Sequence, residues 1–369
     1  MSFESRRHFL QAGAVGAAAC VLPLSAAAQQ RHFDPQPGPW RHFEITTRVE
    51  VLQPQGGTRL WLPVPSVNSD WQQSLDNQWF TNGRAQLASD GHDGARMLEV
   101  DFSPGEASPL VELTSRVRTR NRSLGEEPGD QARLDAADLH YWTRPTMLLP
   151  TDGIVRQTAM QATRGAVTDA QKARRLYDWV VTNTYREPKV RGCGEGDIKT
   201  MLETGNLGGK CADLNAVFVG LCRSLGIPAR DVYGLRLAPS AFGYKELGGN
   251  PASLKGAQHC RAEVFLQGRG WVAMDPADVA KVMRLETPEW IKSTQHPVVV
   301  PVNKALFGGW EGNWVAWNTA HDVALPRSKG PKLGFFMYPA GENALGRFDP
   351  YAPDDFKYQI TARELPAGT

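Results

Sequence analysis

The sequence predicts an α+β protein in which a central helix packs on an antiparallel sheet, preceded by an antiparallel, β-sandwich-like domain. Three observations support this prediction. Runs that alternate apolar and polar residues, as half-buried strands do, fill the first third of the chain. A strongly apolar helix lies in its middle, and a strand pair with a glycine-containing loop follows. The early strand candidates are residues 43–51, 58–65, 95–102 and 110–117.

Composition and charge narrow the functional class. The 369 residues carry a formal net charge of +2, so we expect neither nucleic acid nor an anionic surface as the main partner. After the N-terminal segment no apolar run approaches the length of a membrane span, so no span is expected. A chain of this length holds about two domains, or one domain with a large extension.

The first 28 residues have the layout of a bacterial export signal. An arginine pair at residues 6–7 precedes an apolar stretch from Ala12 to Leu24, and the small residues 26–28 form a cleavage pattern. The arginine pair resembles a twin-arginine signal, so a periplasmic location is expected. A lipoprotein anchored through Cys20 is a less favoured alternative.

The remaining chain divides into four segments. Residues 29–40 are rich in Pro and Gly and predict a linker. The N-terminal β domain is expected at 41–125 and the domain that carries the candidate site at 126–300. Residues 301–369 are expected to form a C-terminal extension that packs on this core.

Cys211 stands at the start of the central helix. The apolar residues that follow recur with helical spacing and predict one buried stripe, and Gly226 is a suitable stop signal. The orphan backbone amides and the dipole of a first helical turn stabilise a thiolate. Cys211 is therefore a candidate nucleophile, and its own amide is a candidate donor to an oxyanion.

A β-hairpin carries two further candidate residues. Residues 259–266 and 271–276 form the two strands, and His259 and Asp275 lie at their outer ends. An antiparallel hairpin brings such ends close together. A thiol needs a base, and a carboxylate fixes the tautomer of that base. The pattern therefore predicts Cys211 as nucleophile, His259 as base and Asp275 as the residue that orients the base.

The other cysteines have plainer interpretations. Cys222 lies three turns after Cys211 and is expected in the core. Cys260 is expected on the face of its strand opposite His259, in a structural role. Cys193, in a glycine-rich loop, is interpreted as exposed and as either a disulfide partner or a regulatory thiol. The cysteine and histidine spacings match no zinc template, so neither a metal nor a cofactor is expected.

The sequence resembles the transglutaminase-like superfamily, whose core has a papain-like fold. The resemblance rests on residues 209–215 (GKCADLN), residues 223–230 (RSLGIPAR) and the hairpin from His259 to Pro276. It covers about residues 170–280 and implies a Cys-His-Asp triad at Cys211, His259 and Asp275. The sequence departs from the family at Arg261, where an aromatic residue is usual; we expect this arginine to point to solvent.

Four other polar residues are further candidates for a role in the site. Asp278 is a rival for the role of Asp275, and His321 is a rival base without the hairpin context. Asp213 and Asn215 lie in the first turns of the helix. Both are expected to order the loop before Cys211 rather than to take part in chemistry.

The resemblance implies acyl transfer on peptide or amide bonds. A hydrolytic cysteine peptidase or amidase of the periplasm is the leading hypothesis, with a peptide, protein or cell-wall peptide as substrate. Crosslinking by a protein-glutamine transglutaminase is the alternative within the family. A catalytically silent binding module is the alternative from another class. A disulfide oxidoreductase is disfavoured because Cys211 lacks a resolving cysteine two residues away. The sequence leaves the oligomeric state open.

Overall fold

A computed structural model describes residues 31–124, 133–354 and 356–366, which belong to one compact unit. The predicted signal at residues 1–28 lies outside the described residues. Within the described ranges, no helix combines the length and hydropathy needed to cross a bilayer.

Six strands precede the first helix, and six consecutive strands close the described chain after residue 310. The α-helices are α1 (Ala136–Thr143), α2 (Gly153–Ala162), α3 (Asp169–Asn183), α4 (Ile198–Thr204), α5 (Cys211–Ser224), α6 (Pro276–Leu285) and α7 (Val300–Ala305). The strands are β1 (Arg41–Val51), β2 (Thr58–Pro63), β3 (Gln72–Thr81), β4 (Arg84–Ser89), β5 (Arg96–Phe102), β6 (Leu110–Thr119), β7 (Tyr185–Arg186), β8 (Gly208–Gly209), β9 (Ala229–Arg236), β10 (Gln258–Leu266), β11 (Gly270–Met274), β12 (Phe307–Gly308), β13 (Trp314–Asn318), β14 (His321–Val323), β15 (Leu333–Phe335), β16 (Ala340–Asn343), β17 (Gly346–Arg347) and β18 (Phe356–Leu365).

The helix α5 packs on an antiparallel sheet, the core sheet, with strand order β12-β11-β10-β9-β13. Every residue of α5 is buried, because other helices cover the sides that the sheet leaves free. Gly226, with φ +76°, follows the end of the helix in the left-handed conformation that glycine favours. The predicted hairpin is β10–β11, and Ala262 lies opposite Met274 in its register.

Two further sheets form the predicted sandwich-like region. The first sandwich sheet has the order β18-β1-β6-β3 and the second has the order β17-β16-β2-β5-β4. Buried side chains from both sheets, among them Phe43, Ile45, Leu60 and Val100, belong to one apolar cluster. Alternation along β1 places Phe43, Ile45 and Val49 on the buried face. The α+β fold predicted from the sequence is therefore confirmed.

The segment after residue 300 returns to both sandwich sheets. Strand β18 pairs antiparallel with β1 along its full length, and β16 pairs with β2. Residues late in the chain thus complete sheets that begin before residue 65. The domain boundaries drawn at 125 and 300 stay predictions.

Candidate active site

Cys211 is the first residue of α5 and is 2 % exposed. Asp213, in the same turn, accepts hydrogen bonds from the backbone amides of Lys210 (2.8 Å), Glu195 (2.9 Å) and Gly196 (2.9 Å). Its carboxylate thus fixes both chain segments that flank the thiol, as expected for this residue. Cys211 is held at a rigid helix start rather than in a free loop.

The loop before α4 approaches this helix start closely enough to require glycine at one position. A Cβ atom on Gly194, whose φ is +89°, would lie 1.8 Å from Oδ2 of Asp213. The carbonyl of Cys193 also accepts a hydrogen bond from the Ala212 amide at 3.0 Å. This bond satisfies one of the orphan amides of the first turn and places Cys193 beside Cys211.

His259 and Asp275 meet at the end of the hairpin. Nε2 of His259 lies 2.7 Å from Oδ2 of Asp275. Asp275 is also the N-cap of α6, because its Oδ1 accepts a hydrogen bond from the Asp278 amide at 3.1 Å. With Nε2 facing the carboxylate, Nδ1 is the nitrogen left for the thiol, and the positive charge of His259 helps to lower the pKa of Cys211. The structure therefore brings the three sequence-predicted residues together, and all three are buried.

A second carboxylate faces the same imidazole. Oδ2 of Asp278 lies 3.4 Å from Nε2 of His259, while its Oδ1 accepts a hydrogen bond from Arg236 at 2.5 Å. Both Asp278 and Arg236 are buried. Both carboxylates therefore lie near Nε2 of His259, and Asp278 does not take the position of Asp275. No sequence pattern pointed to Arg236, which reaches the site from the neighbouring strand β9.

Arg261 was expected to point to solvent, but the structure buries it. It is 2 % exposed, and its Nε lies 3.5 Å from Oδ2 of Asp275. The guanidinium stacks over the rings of Trp314 (4.6 Å) and Trp310 (5.2 Å), which is a favourable cation–π arrangement. The physical reason is strand alternation: Arg261 follows His259 by two residues and shares its face of β10.

The surroundings of Cys211 favour its thiolate. Hydrogen bonds from the thiols of Cys193 and Cys260, together with the hydrogen bond and positive charge of His259, hold the pKa of Cys211 well below its ordinary value despite burial. The charged imidazole is favoured too. Burial and Arg236 oppose its protonation, but the carboxylates of Asp278 and Asp275 outweigh them and raise the pKa of His259.

The pKa values of Asp275 and Asp278 shift in opposite directions although both carboxylates are buried. Burial and the charge of Asp278 raise the pKa of Asp275. Burial alone would raise the pKa of Asp278 as well, but Arg236 and His259 hold it well below its ordinary value. A Cys211–His259 ion pair would place three cations, with Arg236 and Arg261, against three anions. Such a site can ionise without acquiring net charge in a poorly solvated interior, where a net charge is costly.

The described cysteines are all free and buried, which corrects one expectation. Cys193 is not exposed: it is 5 % exposed, and its Sγ lies 3.3 Å from the carbonyl oxygen of Gln258. Cys260 follows His259 on β10 and packs in the apolar cluster that contains Cys211, whose pKa it helps to lower. Cys222 packs in the apolar core, as predicted.

Two other candidates take structural positions. Asn215 does not order the loop before Cys211: its Nδ2 donates to the Cys260 carbonyl at 2.8 Å and contacts Oδ1 of Asp275 at 3.3 Å. Asn215 follows Cys211 by four residues, about one helical turn, and this spacing could have predicted that both lie on the same side of α5. His321 lies apart, 3.4 Å from Tyr233, and burial lowers its pKa well below the ordinary value.

One set of side chains among the described residues has the geometry for a metal ion. Ligand atoms of His259, Asp275 and Asp278 lie within 4.8 Å of one another. Arg236 and Arg261 already supply positive charge to these carboxylates. The donor set therefore fits an ion-pair network better than a cation site.

Comparison with known proteins places the chain in a family. Residues 156–276 match the transglutaminase-like superfamily. An uncharacterized protein from Haemophilus influenzae is 33 % identical over 347 residues, which cover 88 % of this chain and 91 % of that protein. The chain belongs to the transglutaminase-like superfamily, as the motifs around Cys211 and the hairpin predicted.

A solved structure of another protein shows a similar fold. A candidate cysteine protease from Cytophaga hutchinsonii has 17 % identity and a TM-score of 0.55, covering 90 % of this chain and 94 % of that chain. The periplasmic domain of TgpA from Pseudomonas aeruginosa has 16 % identity and a TM-score of 0.32, covering 71 % and 93 %. At such identities the likeness to the Cytophaga protein concerns the fold.

Proposed function

We propose that the protein is an exported thiol enzyme that transfers acyl groups from peptide or amide bonds, with water as the usual acceptor. The observation that carries this proposal is the meeting of Cys211, at a helix start, with a His259–Asp275 pair joined at 2.7 Å. Cys211 is the nucleophile, His259 the general base and acid, and Asp275 the residue that orients the imidazole.

Acylation begins with transfer of the Cys211 proton to His259. The thiolate attacks the carbonyl carbon of the substrate, and the developing oxyanion faces the Cys211 amide at the start of α5. His259 then gives its proton to the leaving amine as the carbon–nitrogen bond breaks. The products of this half-reaction are a free amine and a thioester on Cys211.

Deacylation returns the enzyme to its starting state. A water molecule gives a proton to His259 and attacks the thioester, and the proton then returns to the sulfur as the acid leaves. A primary amine in place of water would give transamidation by the same steps. The acceptor that works faster therefore distinguishes a peptidase or amidase from a transglutaminase.

Location and substrate form part of the proposal. The arginine pair and apolar stretch of residues 1–28 support export to the periplasm by the twin-arginine route. Peptides, proteins and cell-wall peptides are the substrates that a periplasmic enzyme of this chemistry meets. The proposal requires neither metal nor cofactor.

The first test is the pH dependence of cysteine alkylation. The chain from residue 29 onward is treated with iodoacetamide between about pH 4 and pH 9, and the modified site is identified by mass spectrometry. Selective labelling of Cys211 with an apparent pKa well below about 8.5, the value of a free thiol, is expected. His259→Ala should abolish this selectivity, whereas His321→Ala, which removes another buried histidine, should preserve it.

Turnover is tested next, with peptide and amide libraries and with added primary amines. Cys211→Ala should reduce acyl transfer by about 10³-fold or more, because the nucleophile is lost. Labelling of Cys211 no faster than Cys193 would contradict the ion pair and favour a binding module. Faster transfer to amines than to water would favour the transglutaminase alternative.

A further inference from the structure

An apolar pocket of about 350 Å³ lies beside the candidate site. Its walls come mainly from residues 333–351, with Leu148, Gly194 and Glu195 completing them. Most of the wall therefore lies outside residues 156–276, the part that matches the superfamily. The pocket, called the apolar pocket below, is a feature that the C-terminal segment adds to the shared core.

The wall of the apolar pocket adjoins the start of α5. Gly194, in this wall, follows Cys193, whose carbonyl accepts a hydrogen bond from the Ala212 amide at 3.0 Å. Gly194 is also fixed by its close approach to Asp213. The wall nearest the thiol is thus built from the residues that hold Cys211 in place.

A second cleft adjoins the same wall. It has a similar volume, about 350 Å³, and shares Gly194 and Glu195 with the apolar pocket. Its lining contains more polar side chains, among them Asp197, Thr200 and Asn206.

The lining of the apolar pocket indicates the chemistry of its occupant. Leu333, Phe335 and Phe348 are only partly buried, so they present apolar surface to the pocket. Arg347 is committed elsewhere, because it donates to the Pro331 carbonyl at 2.8 Å and to Ser328 at 2.6 Å. The volume lies in the range of about 300–1,000 Å³ that is usual for ligand pockets.

We propose that the apolar pocket binds a bulky aliphatic or aromatic side chain of the acyl donor, close to the bond that Cys211 attacks. This inference rests on the proposed thiol chemistry of Cys211. It defines the substrate class as peptides that carry a large apolar residue near the scissile bond. The C-terminal segment would then set specificity, while the shared core supplies the reaction.

Three alkylating probes test the inference: iodoacetamide itself, iodoacetamide with a phenylbutyl tail, and iodoacetamide with a carboxybutyl tail. The second-order rate constant for labelling Cys211 should be about tenfold higher with the phenylbutyl probe than with either other probe, since burial of a ring contributes binding free energy. Leu333→Asp, which places a charge in the pocket, should remove most of this preference. Leu345→Asp, at an 83 % exposed position of the same segment, should leave it unchanged.

The outcomes separate the two proposals. Selective labelling of Cys211 with equal rates for all three probes overturns the proposed role of the apolar pocket in substrate binding. The proposed thiol chemistry is then unaffected. Failure of iodoacetamide to select Cys211 overturns the thiol chemistry. In that case, ligand-detected NMR with the unreactive phenylbutyl acetamide measures whether the apolar pocket binds an apolar group. Binding weakened by Leu333→Asp supports it, and binding that is absent or indifferent to this change overturns it. Leu148→Asp, from another wall, replaces Leu333→Asp if that variant does not fold.

Discussion

The core sheet and the first sandwich sheet use charge in opposite ways. On the sandwich sheet, ion pairs such as Arg116–Glu44 and Arg363–Glu44 lie across neighbouring strands at partly exposed positions. Beside the core sheet, Arg236 and Arg261 are buried against carboxylates that face His259. Exposed pairs contribute little to stability, whereas a buried charge is tolerated only with its partner. The difference locates the part of the molecule where buried charges surround the candidate catalytic residues.

Asp278→Asn should produce the largest effect, because it leaves Arg236 buried without its anion. The free energy of unfolding at neutral pH should fall by about 3–5 kcal/mol. The folded state lowers the pKa of Asp278, so its ionised form contributes stability above the ordinary carboxyl pKa of 3.8. This contribution is lost as the pH falls through the folded pKa.

Denaturant unfolding of Asp278→Asn and of the parent at neutral pH and at about pH 3 measures this prediction. The two proteins should differ less at the acidic pH, where the Asp278 carboxyl becomes protonated in the unfolded parent but stays ionised in the folded one. A loss under about 1 kcal/mol at neutral pH would mean that the buried pair behaves like an exposed one.

Cys193→Ala should raise the apparent pKa of Cys211, because the interaction with Cys193 is the largest influence holding that pKa down. Alkylation of Cys211 as a function of pH measures the shift. Cys222→Ala removes another buried thiol, one that packs in the core, and serves as the matched control. Equal profiles for the two variants would show that Cys193 does not stabilise the thiolate.

Arg261→Met should raise the apparent pKa of Cys211, by less than Cys193→Ala does. Arg261 lowers the pKa of Asp275, so its removal favours protonation of that carboxyl and weakens the support of the imidazolium. Arg223→Met, which removes a buried arginine whose bonds go to backbone carbonyls, is the control. Both variants are expected to lose stability, but only Arg261→Met should move the alkylation profile; an unmoved profile would assign Arg261 to packing alone.

Glu44→Gln, on the sandwich sheet, should have the smallest effect. Loss of the pairs with Arg116 and Arg363 should lower the free energy of unfolding by less than about 1 kcal/mol. The loss should shrink further in salt, which screens exposed charges. A salt-independent loss as large as that of Asp278→Asn would remove the contrast between the two sheets.

The sequence predicted most of the site because its signals are local. The apolar stripe of α5, Gly226 and the hairpin spacing were enough to place Cys211, His259 and Asp275 near one another. Arg261 was misjudged although its spacing from His259 placed both on one face, because an arginine is rarely fully buried without partners. Its partners, Trp310 and Trp314, lie about fifty residues later in the chain, where no local pattern connects them.

The sandwich region was predicted less completely. The four predicted strands correspond to β1, β2, β5 and β6, but β3 and β4 were missed because they contain many polar residues and are only partly buried. Such strands show little periodicity, since neither face is fully covered. The pairing of β18 with β1 joins residues more than 300 positions apart, as in His42 opposite Leu365. Local patterns predict a strand there but not its partner.

That last pairing has a mechanical consequence. Since β1 and β18 are antiparallel and His42 lies opposite Leu365, the start of one strand and the end of the other stand at the same end of the ladder. A pulling force applied at these two points would open the hydrogen bonds one after another, like a zipper, instead of shearing them together. The first sandwich sheet would therefore yield at low force, before the core sheet and Cys211 carried any load.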